Sequence, residues 1–189
     1  MVGYTLINPN ETTVNIMSNL DFSNQDLTGR DFSGQNLEKA DFQGANLTGA
    51  NFQDCNLTEA NFEGAKLGCA DFSGATARHA NFIEAKLCDD KCHAGAQAEA
   101  ADFCFANFEG ADLSECELES CKFVQASMQG AVMTNANVFG ADFTGADMRD
   151  ATLAGIDFGG AILDDADLSG GDFDGTAFSC DQRDVKGLS

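Results

Sequence analysis

Residues 40–74 read ADFQG ANLTG ANFQD CNLTE ANFEG AKLGC ADFSG, which is seven consecutive blocks of five residues. The third residue of each block, called the repeat centre below, is Phe or Leu. Ala or Cys stands two places before it, and the residue between them is mostly Asp or Asn. A period of five matches neither the alternation of a strand nor the 3.6-residue period of a helix. It predicts a coil that turns a corner once per block.

The repeat extends well beyond this stretch in both directions. Centres recur at every fifth residue from Phe22 to Leu87, and 14 of the 16 phenylalanines are centres once a single shift is allowed. The shift lies between Leu87 and Phe103. We interpret Asp90–Ala94 as a repeat centred on Cys92 and Gly95 as one inserted residue that forms a bulge. Residues 20–180 then hold about 32 repeats.

The repeat predicts which side chains are buried. The large centre and the small residue before it are expected to point into the coil, and the other three residues to face water. The small position holds Cys at Cys55, Cys116 and Cys121, which fits because large centres already fill the interior. Gly recurs two places after the centre, where a corner needs the positive φ that glycine adopts easily.

Centres twenty residues apart share residue types, which predicts four repeats per coil. On our interpretation of the shift, one column continues upward from Phe82 with Phe103, Phe123 and Phe143. Like residues would then stack directly above one another, as in a β-solenoid. The sequence thus predicts an all-β rod of about eight four-sided coils, about 38 Å long at the usual strand spacing.

The A(D/N)LXX pattern of blocks such as ADFQG, ANLTG and ANFEG resembles that of the pentapeptide repeat family, over residues 20–180. The resemblance implies a right-handed quadrilateral β-helix, a bacterial source and a non-enzymatic role. Some members of the family bind DNA gyrase and topoisomerase IV as DNA mimics, whereas many others have no assigned activity.

The two ends differ from the repeats. Residues 1–19 lack the pattern and are expected to form an N-terminal cap, while residues 181–189 form a short polar C-terminal tail. A solenoid exposes an edge at each end unless it is capped. Either the tail is a minimal lid, or two copies meet end to end. The candidate dimer end comprises Leu163, Leu168, Phe173 and Phe178.

Residues suited to catalysis or metal binding are few. The two histidines, His79 and His93, map to outward corners of a convex rod, so we expect no enzyme activity. Cys88, Cys92 and His93 form C-x3-C-H, but Cys92 is assigned inward and the other two outward, which disfavours zinc. Calcium binding by the aspartates of residues 164–174 would need a nine-residue period. No metal and no cofactor is therefore expected.

Charge is the one functional clue. The net charge is −21, which argues against direct binding to nucleic acid or to an anionic membrane. Residues 20–180 carry 28 acidic and 8 basic side chains. Over the rod this is about one net charge per 1.9 Å, against about one per 1.7 Å for duplex DNA. A basic island of Lys66, Arg78, Lys86 and Lys91 interrupts the acidity.

Two functions follow from this charge. The first is a non-enzymatic binding or scaffold protein that presents an acidic surface to a protein partner. The alternative is a DNA mimic that inhibits or protects a type II topoisomerase such as DNA gyrase. The candidate interaction surface is the acidic group Asp164, Asp165, Asp167, Asp172 and Asp174. A structural interpretation opposes both functions. In it, the Asp before each centre only accepts a hydrogen bond from a turn amide, and the net charge only aids solubility.

The chain start and the cysteines suggest a location. The first twenty residues show neither a basic region nor an apolar core of a secretory signal, and no apolar run approaches the roughly 18 residues of a membrane span. Eight cysteines without such a signal predict free thiols in a reducing compartment. The cytoplasm is the expected location.

Overall fold

Parallel β-bridges one residue long make up the fold. The structure is a computed structural model that describes residues 20–88, 95–178 and 185–187, and these contain neither a helix nor a strand of several residues. A bridge residue recurs every five positions and pairs with the residue twenty further on, as Asp21 does with Asp41 and Asp26 with Asn46. Four bridges therefore complete one coil, which confirms four repeats per turn.

Backbone hydrogen bonds run both between coils and around each corner. Between coils, Phe42 N–H donates to the carbonyl of Asn61 at 2.7 Å, and Asn61 N–H donates to the carbonyl of Ala40 at 2.9 Å. Around the corner, Ala45 N–H donates to the carbonyl of Phe42 at 3.0 Å. Because most described repeats form bonds of this kind, the stack satisfies its buried backbone groups without long strands.

The interior is filled by the centres and by the small residues before them. Every described centre from Phe32 to Leu168 is buried. Successive phenylalanines of one column stack, with the rings of Phe42 and Phe62 4.9 Å apart and 6° from parallel. Neighbouring columns meet edge to face, as Phe52 does with Phe62 at 5.6 Å. These are the two favoured geometries of aromatic pairs.

Cysteine at the small position behaves as predicted. Cys55, Cys116 and Cys121 are buried. The Cys55 thiol donates to the carbonyl of Phe32 at 3.0 Å. These thiols therefore pack as small inward residues.

The corner residue, two places after each centre, has a left-handed backbone. It is Gly at positions such as Gly44, with φ of 64°, but also a residue such as Glu59, with φ of 59°. The other non-glycine corner residues of the described part include Asn, Asp, Lys, Gln, Ser, Cys, His, Ala and Phe, but no Val, Ile or Thr. This fits the steric cost of a β-branched side chain at positive φ.

We name the four sides by their centres, in chain order, and each face includes the outward residues of its repeats. Face A has the centres Phe22, Phe42, Phe62, Phe82, Phe108, Met128, Met148 and Leu168. Face B has Leu27, Leu47, Leu67, Leu87, Leu113, Met133, Leu153 and Phe173. Face C has Phe32, Phe52, Phe72, Ala98, Leu118, Val138, Phe158 and Phe178. Face D has Leu37, Leu57, Ala77, Phe103, Phe123, Phe143 and Leu163.

The predicted register across the shift is wrong. Bridges there join residues 26 apart, such as Asp71 with Gln97 and Lys86 with Asp112, so the chain takes up six extra residues rather than one. Phe82 consequently stacks on Phe108, with ring centroids 4.6 Å apart, and not on Phe103. The four sides now hold thirty-one centres, just under eight coils.

The same register leaves no place in the stack for a repeat centred on Cys92. Such a repeat would point the Asp90 carboxylate into an apolar interior, at a cost of several kcal/mol. Both residues lie outside the described residues, within 89–94. The corner itself is closed by Ala96, whose N–H donates to the carbonyl of Leu87 at 2.9 Å. A bulge near Gly95 therefore exists, but as a longer insertion.

The C-terminal end places the candidate dimer residues at different depths. Leu163 and Leu168 are fully buried, while Phe173 and Phe178 are partly buried against the core. Part of the tail lies over Leu168, since Lys186 forms a parallel bridge with Asp167. End-to-end dimerisation stays a prediction. The predicted cap at residues 1–19 lies outside the described residues.

Candidate interaction surface

The residue before each centre closes a turn with its side chain. Asp71 accepts a hydrogen bond from Ser73 N–H at 2.9 Å, and Asn51 accepts one from Gln53 N–H at 2.9 Å. Asp and Asn thus make the same turn contact, as the structural interpretation predicts. Since an amide serves as well as a carboxylate, the turn does not require the negative charge.

Hydrogen bonds to these carboxylates keep them ionised. The pKa of Asp31 is lowered by hydrogen bonds from the backbone and the hydroxyl of Ser33. Arg149 donates to Asp147 and lowers the pKa of that carboxyl. At Asp102 burial opposes ionisation, but hydrogen bonds from Cys104 and Arg78 outweigh it, so its pKa is also lowered. The surface therefore remains negative at neutral pH.

Face C is the acidic face without basic side chains among its described outward residues. Its bridge column alternates carboxylates with amides along the rod. Alternation avoids like charges directly opposite one another, and the amides donate to the carboxylates, as Asn137 does to Glu117 at 2.8 Å. The acidic residues of face C are Asp31, Asp54, Asp71, Glu99, Glu117, Glu119 and Asp157. Arg30 holds the small position of the first repeat on this side, where it is exposed and its guanidinium lies 6.0 Å from the Phe32 ring centroid.

The other faces all carry cations. Lys66 and Lys86 are bridge partners on face B, so they form one basic pair. On face D, Arg78 forms an ion pair with Asp102 at 3.1 Å. On face A, Arg149 pairs with Asp147. The basic island that the sequence predicts is therefore divided between faces, and Lys91 lies outside the described residues.

Two phenylalanines stand on the outside of the rod. Phe105 is 40% exposed and Phe139 is 57% exposed. They are the two phenylalanines of the chain that are not repeat centres. Their position in the repeat, one or two places after a centre, is the sequence signal that identifies them as outward-facing. In the sequence they are exceptions to the repeat, and the repeat predicts no role for them.

Phe139 lies on face C against two glycines of the next coil. A Cβ atom added to Gly159 would be 3.5 Å from the Phe139 ring, and one added to Gly160 would be 3.7 Å away. The face is locally altered here, because no bridge joins Asn137 to Asp157. Ile156, which is buried, fills the inward position just before Asp157, where most repeats have Ala.

Phe105 lies in a more polar cluster on face D. Its ring stacks on His79, with centroids 5.1 Å apart, and the Arg78 guanidinium lies 5.3 Å from the ring centroid. Phe105 also has a φ of 61°, which is unusual for a bulky residue. Its exposed ring is therefore already occupied by a cation of the same chain.

The predicted acidic group does not form one patch. Asp164 and Asp165 lie on face D, Asp167 on face A, and Asp172 and Asp174 on face B. They surround the last coil rather than converge. Asp167 accepts hydrogen bonds from Ser169, which lower its pKa.

The described residues show no group of three or more His, Cys, Asp or Glu side chains placed to hold a metal ion. His79 occupies an outward corner, as predicted. Cys88 is described and is outside any disulfide, whereas Cys92 and His93 lie outside the described residues. No helix in the described part is long and apolar enough for a membrane span.

Most of the described cysteines are free thiols. Burial raises the pKa of Cys121 to about 12 and also raises that of Cys116. These two are therefore protonated and inert at neutral pH. Cys69, on an exposed corner of face B, is disulfide-bonded, so the prediction of free thiols is wrong for that residue.

Comparisons with known proteins agree with the repeat. The family model described as a pentapeptide repeat region matches residues 15–90, and the model for pentapeptide repeats in eight copies matches 94–119, 111–150 and 141–179. No curated protein matches significantly.

Solved structures of similar proteins include a trypsin-treated variant of QnrB1, a plasmid-mediated fluoroquinolone resistance protein. It is 20% identical, with a TM-score of 0.50, over 81% of this chain and 86% of that one. HetL, involved in heterocyst differentiation regulation in the cyanobacterium Nostoc sp. strain PCC 7120, is 23% identical, with a TM-score of 0.46, over 88% and 84%. A thylakoid-lumen protein of Arabidopsis thaliana is 31% identical, with a TM-score of 0.23, over 68% and 72%.

Proposed function

The chain belongs to the pentapeptide repeat family, and from this premise we propose that it is a non-enzymatic scaffold that presents an acidic four-sided surface to a protein partner. We also assign it the right-handed winding of that family. The proposal concerns the outside of the rod, because the inside is fully occupied by side chains that hold the coils together.

One observation carries the proposal, namely that the fold does not need the charge it displays. Asn51 and Asp71 are neighbours on face C and make the same turn contact, one neutral and one charged. Glu99 and Glu119 are exposed residues in the turns of the same face. A surface that is acidic beyond its structural needs is suited to electrostatic recognition.

The test is recovery of a direct partner followed by a binding measurement. The full chain, used as bait in its native cells, should recover a protein that then binds the purified chain by calorimetry. Binding should weaken as salt rises from about 0.05 to 0.5 M, because exposed charges are screened. Recovery of no direct partner, or binding indifferent to salt, would contradict the proposal.

DNA mimicry of a type II topoisomerase is the second candidate, and face C favours it. Carboxylates recur along that face with no cation beyond Arg30 in the first coil, whereas the basic pair Lys66 and Lys86 lies on face B. The charge of the rod, at about one per 1.9 Å, is close to that of duplex DNA. The DNA-binding surface of DNA gyrase would be the partner.

A gyrase supercoiling assay separates the two candidates. A mimic should inhibit supercoiling, or protect gyrase from a quinolone, at micromolar protein, and charge reversal at Asp164, Asp165, Asp167, Asp172 and Asp174 should weaken the effect. If the protein neither inhibits supercoiling nor protects gyrase at that concentration, DNA mimicry is contradicted, whereas the scaffold proposal is unaffected.

We propose the bacterial cytoplasm as the location. Five described cysteines are outside any disulfide, which favours a reducing compartment, whereas the disulfide at Cys69 is the observation that speaks against it. Cell fractionation with an antibody against the chain tests this directly, and recovery in a periplasmic fraction would contradict it.

A further inference from the structure

We propose that face C around Phe139 is the docking surface, and that it binds a lysine- or arginine-bearing segment of the partner with one cation on the Phe139 ring. This inference rests on the proposed scaffold function and specifies where the partner binds. It starts from an aromatic side chain that the fold does not bury.

Phe139 does not pack in the core, unlike the phenylalanines that are repeat centres. Centres such as Phe143 are fully buried, whereas Phe139 is 57% exposed and contacts the glycine backbone at Gly159 and Gly160 on one side. Large exposed aromatic residues in a polar surround are typical anchors of protein interfaces. The absence of side chains on both glycines lets the ring lie against their backbone, and the exposed part of the ring is open to an incoming group.

The charges around Phe139 select the occupant. Glu119 precedes it in the same turn column one coil earlier, and Glu117 and Asp157 belong to the bridge column beside it. A cation above the ring would gain both from the π face and from these carboxylates. On face D the equivalent exposed ring, Phe105, already has Arg78 at 5.3 Å, which shows the same pairing within the chain.

The spacing of the bridge column suggests how a segment would lie. Its carboxylates, at Asp71, Glu117 and Asp157, are two coils apart, which is about 10 Å. In the polyproline II conformation a chain advances about 9 Å in three residues, and every third side chain lies on the same side. A segment with a basic residue at every third position would therefore match the column in register.

A second copy of the chain is a poor occupant, because each copy carries a net charge of −21. Nucleic acid is disfavoured for the same reason. Charge complementarity thus points to a basic protein segment.

The test uses the intact protein and a fluorescein-labelled peptide of Lys-Ser-Ser repeated four times, a length of about 40 Å. Fluorescence anisotropy should give saturable, salt-sensitive binding, and the same peptide with Glu in place of Lys should not bind. Phe139→Ala should weaken binding about threefold or more, through loss of the cation–π contact. Its matched control, Phe105→Ala, removes an exposed ring from face D and should leave binding unchanged.

A pair of charge variants tests the face itself. Neutralising Glu99, Glu117 and Glu119 together as Gln should weaken binding about tenfold or more. Neutralising Glu63, Glu84 and Glu109 on face A changes the net charge equally and should alter binding less than about twofold. Circular dichroism confirms that each variant keeps the wild-type fold.

Several outcomes would overturn the inference. These are equal losses in the two triple variants, an unchanged affinity in Phe139→Ala, no peptide binding at all, or a wild-type dimer that Phe139→Ala dissociates. The scaffold proposal is judged separately, by recovery of a partner with the wild-type bait. If that partner binds Phe139→Ala and the face C triple variant as tightly as it binds the wild type, the scaffold proposal holds and the proposal of face C as the docking surface is wrong.

Discussion

The coils before the insertion and those after it solve the same packing problem with different residues. In residues 20–88, phenylalanine columns occupy the opposite faces A and C, with leucine mostly on B and D. In residues 95–178 the main phenylalanine column, from Phe103 to Phe143, lies on face D, and methionine holds two of the four centres on face A and one of the four on face B. The interior therefore specifies volume, not the identity of each residue.

The outer surfaces of the two regions differ as well. Residues 20–88 carry ten acidic and five basic side chains, whereas residues 95–178 carry sixteen and two. Both exposed phenylalanines lie in the second region. The second region thus has the stronger electrostatic surface, and the docking site that we propose at Phe139 lies in it.

The largest expected effect tests the first region. Phe62→Ala should destabilise the protein by about 3–5 kcal/mol in urea unfolding, because it removes a ring stacked between Phe42 and Phe82. The equivalent change in the second region, Met128→Ala on face A, should cost less, about 2–3 kcal/mol. The exposed control Glu59→Ala should change stability by under about 0.5 kcal/mol. Equal losses of stability in Phe62→Ala and Met128→Ala would show that the two regions do not differ in this respect.

Buried thiols give the second region its own pH dependence. Burial raises the pKa of Cys121 to about 12 and raises that of Cys116. Their contribution to folding is present below the ordinary thiol pKa, near 9, and is lost as pH rises towards the folded value. Stability should fall by up to about 1.4 kcal/mol per pH unit for each thiol above pH 9.

The measurement is urea unfolding at pH 8.5 and pH 10.5 for wild type and for Cys116→Ala with Cys121→Ala. Ala already fills this position in most repeats, so the variant should fold. Titrations common to both proteins cancel, and the variant should lose less stability. An equal loss in both proteins would mean that these thiols are not buried as described.

The junction between the regions depends on Gly95. A Cβ atom there would lie 2.8 Å from the amide nitrogen and the sulfur of Cys116 and from the carbonyl of Ser114. Gly95→Ala should therefore cost about 1–3 kcal/mol in thermal or urea unfolding. The control is Gly130→Asn, at a corner with no atom within 4 Å of the added Cβ, where other corners already hold Asn. It should be nearly neutral, and a similar loss in both would refute a special role for Gly95.

The smallest effect concerns an exposed ring. Phe105→Asn should change stability by less than about 1 kcal/mol, because relief of a left-handed bulky residue offsets the lost contacts with His79 and Arg78. Differential scanning calorimetry would detect it. A loss comparable to that of Phe62→Ala would show that Phe105 belongs to the core.

The coil could be predicted from the sequence because each five-residue block repeats the same pattern of buried and turn residues. A centre such as Phe42 and a small residue such as Cys55 each obey a local rule that every coil repeats. The register after Leu87 was mispredicted because a period cannot show how many residues leave the stack. Only the bridge between Asp71 and Gln97 decides that number.

The candidate surface was less predictable for a related reason. Assigning Asp164 and Asp172 to one patch used proximity in the chain, but residues eight apart lie on different faces. Face C becomes visible only when residues such as Asp71, Glu117 and Asp157 are aligned across coils, and that alignment depends on the corrected register. Phe139 was visible in the sequence as an exception to the repeat, but its neighbours were not.

The bond from Ala96 N–H to the carbonyl of Leu87 has a consequence for protein engineering. It is the same corner bond that Ala85 makes to Phe82, so the described residues on both sides of 89–94 keep ordinary corner geometry. Excising 89–94 would join Cys88 to Gly95 and restore five-residue spacing from Leu87 to Ala98. A foreign loop or a reporter peptide of almost any length could be inserted between Cys88 and Gly95. The coils before and after this point are aligned by their own hydrogen bonds and do not need residues 89–94 for it.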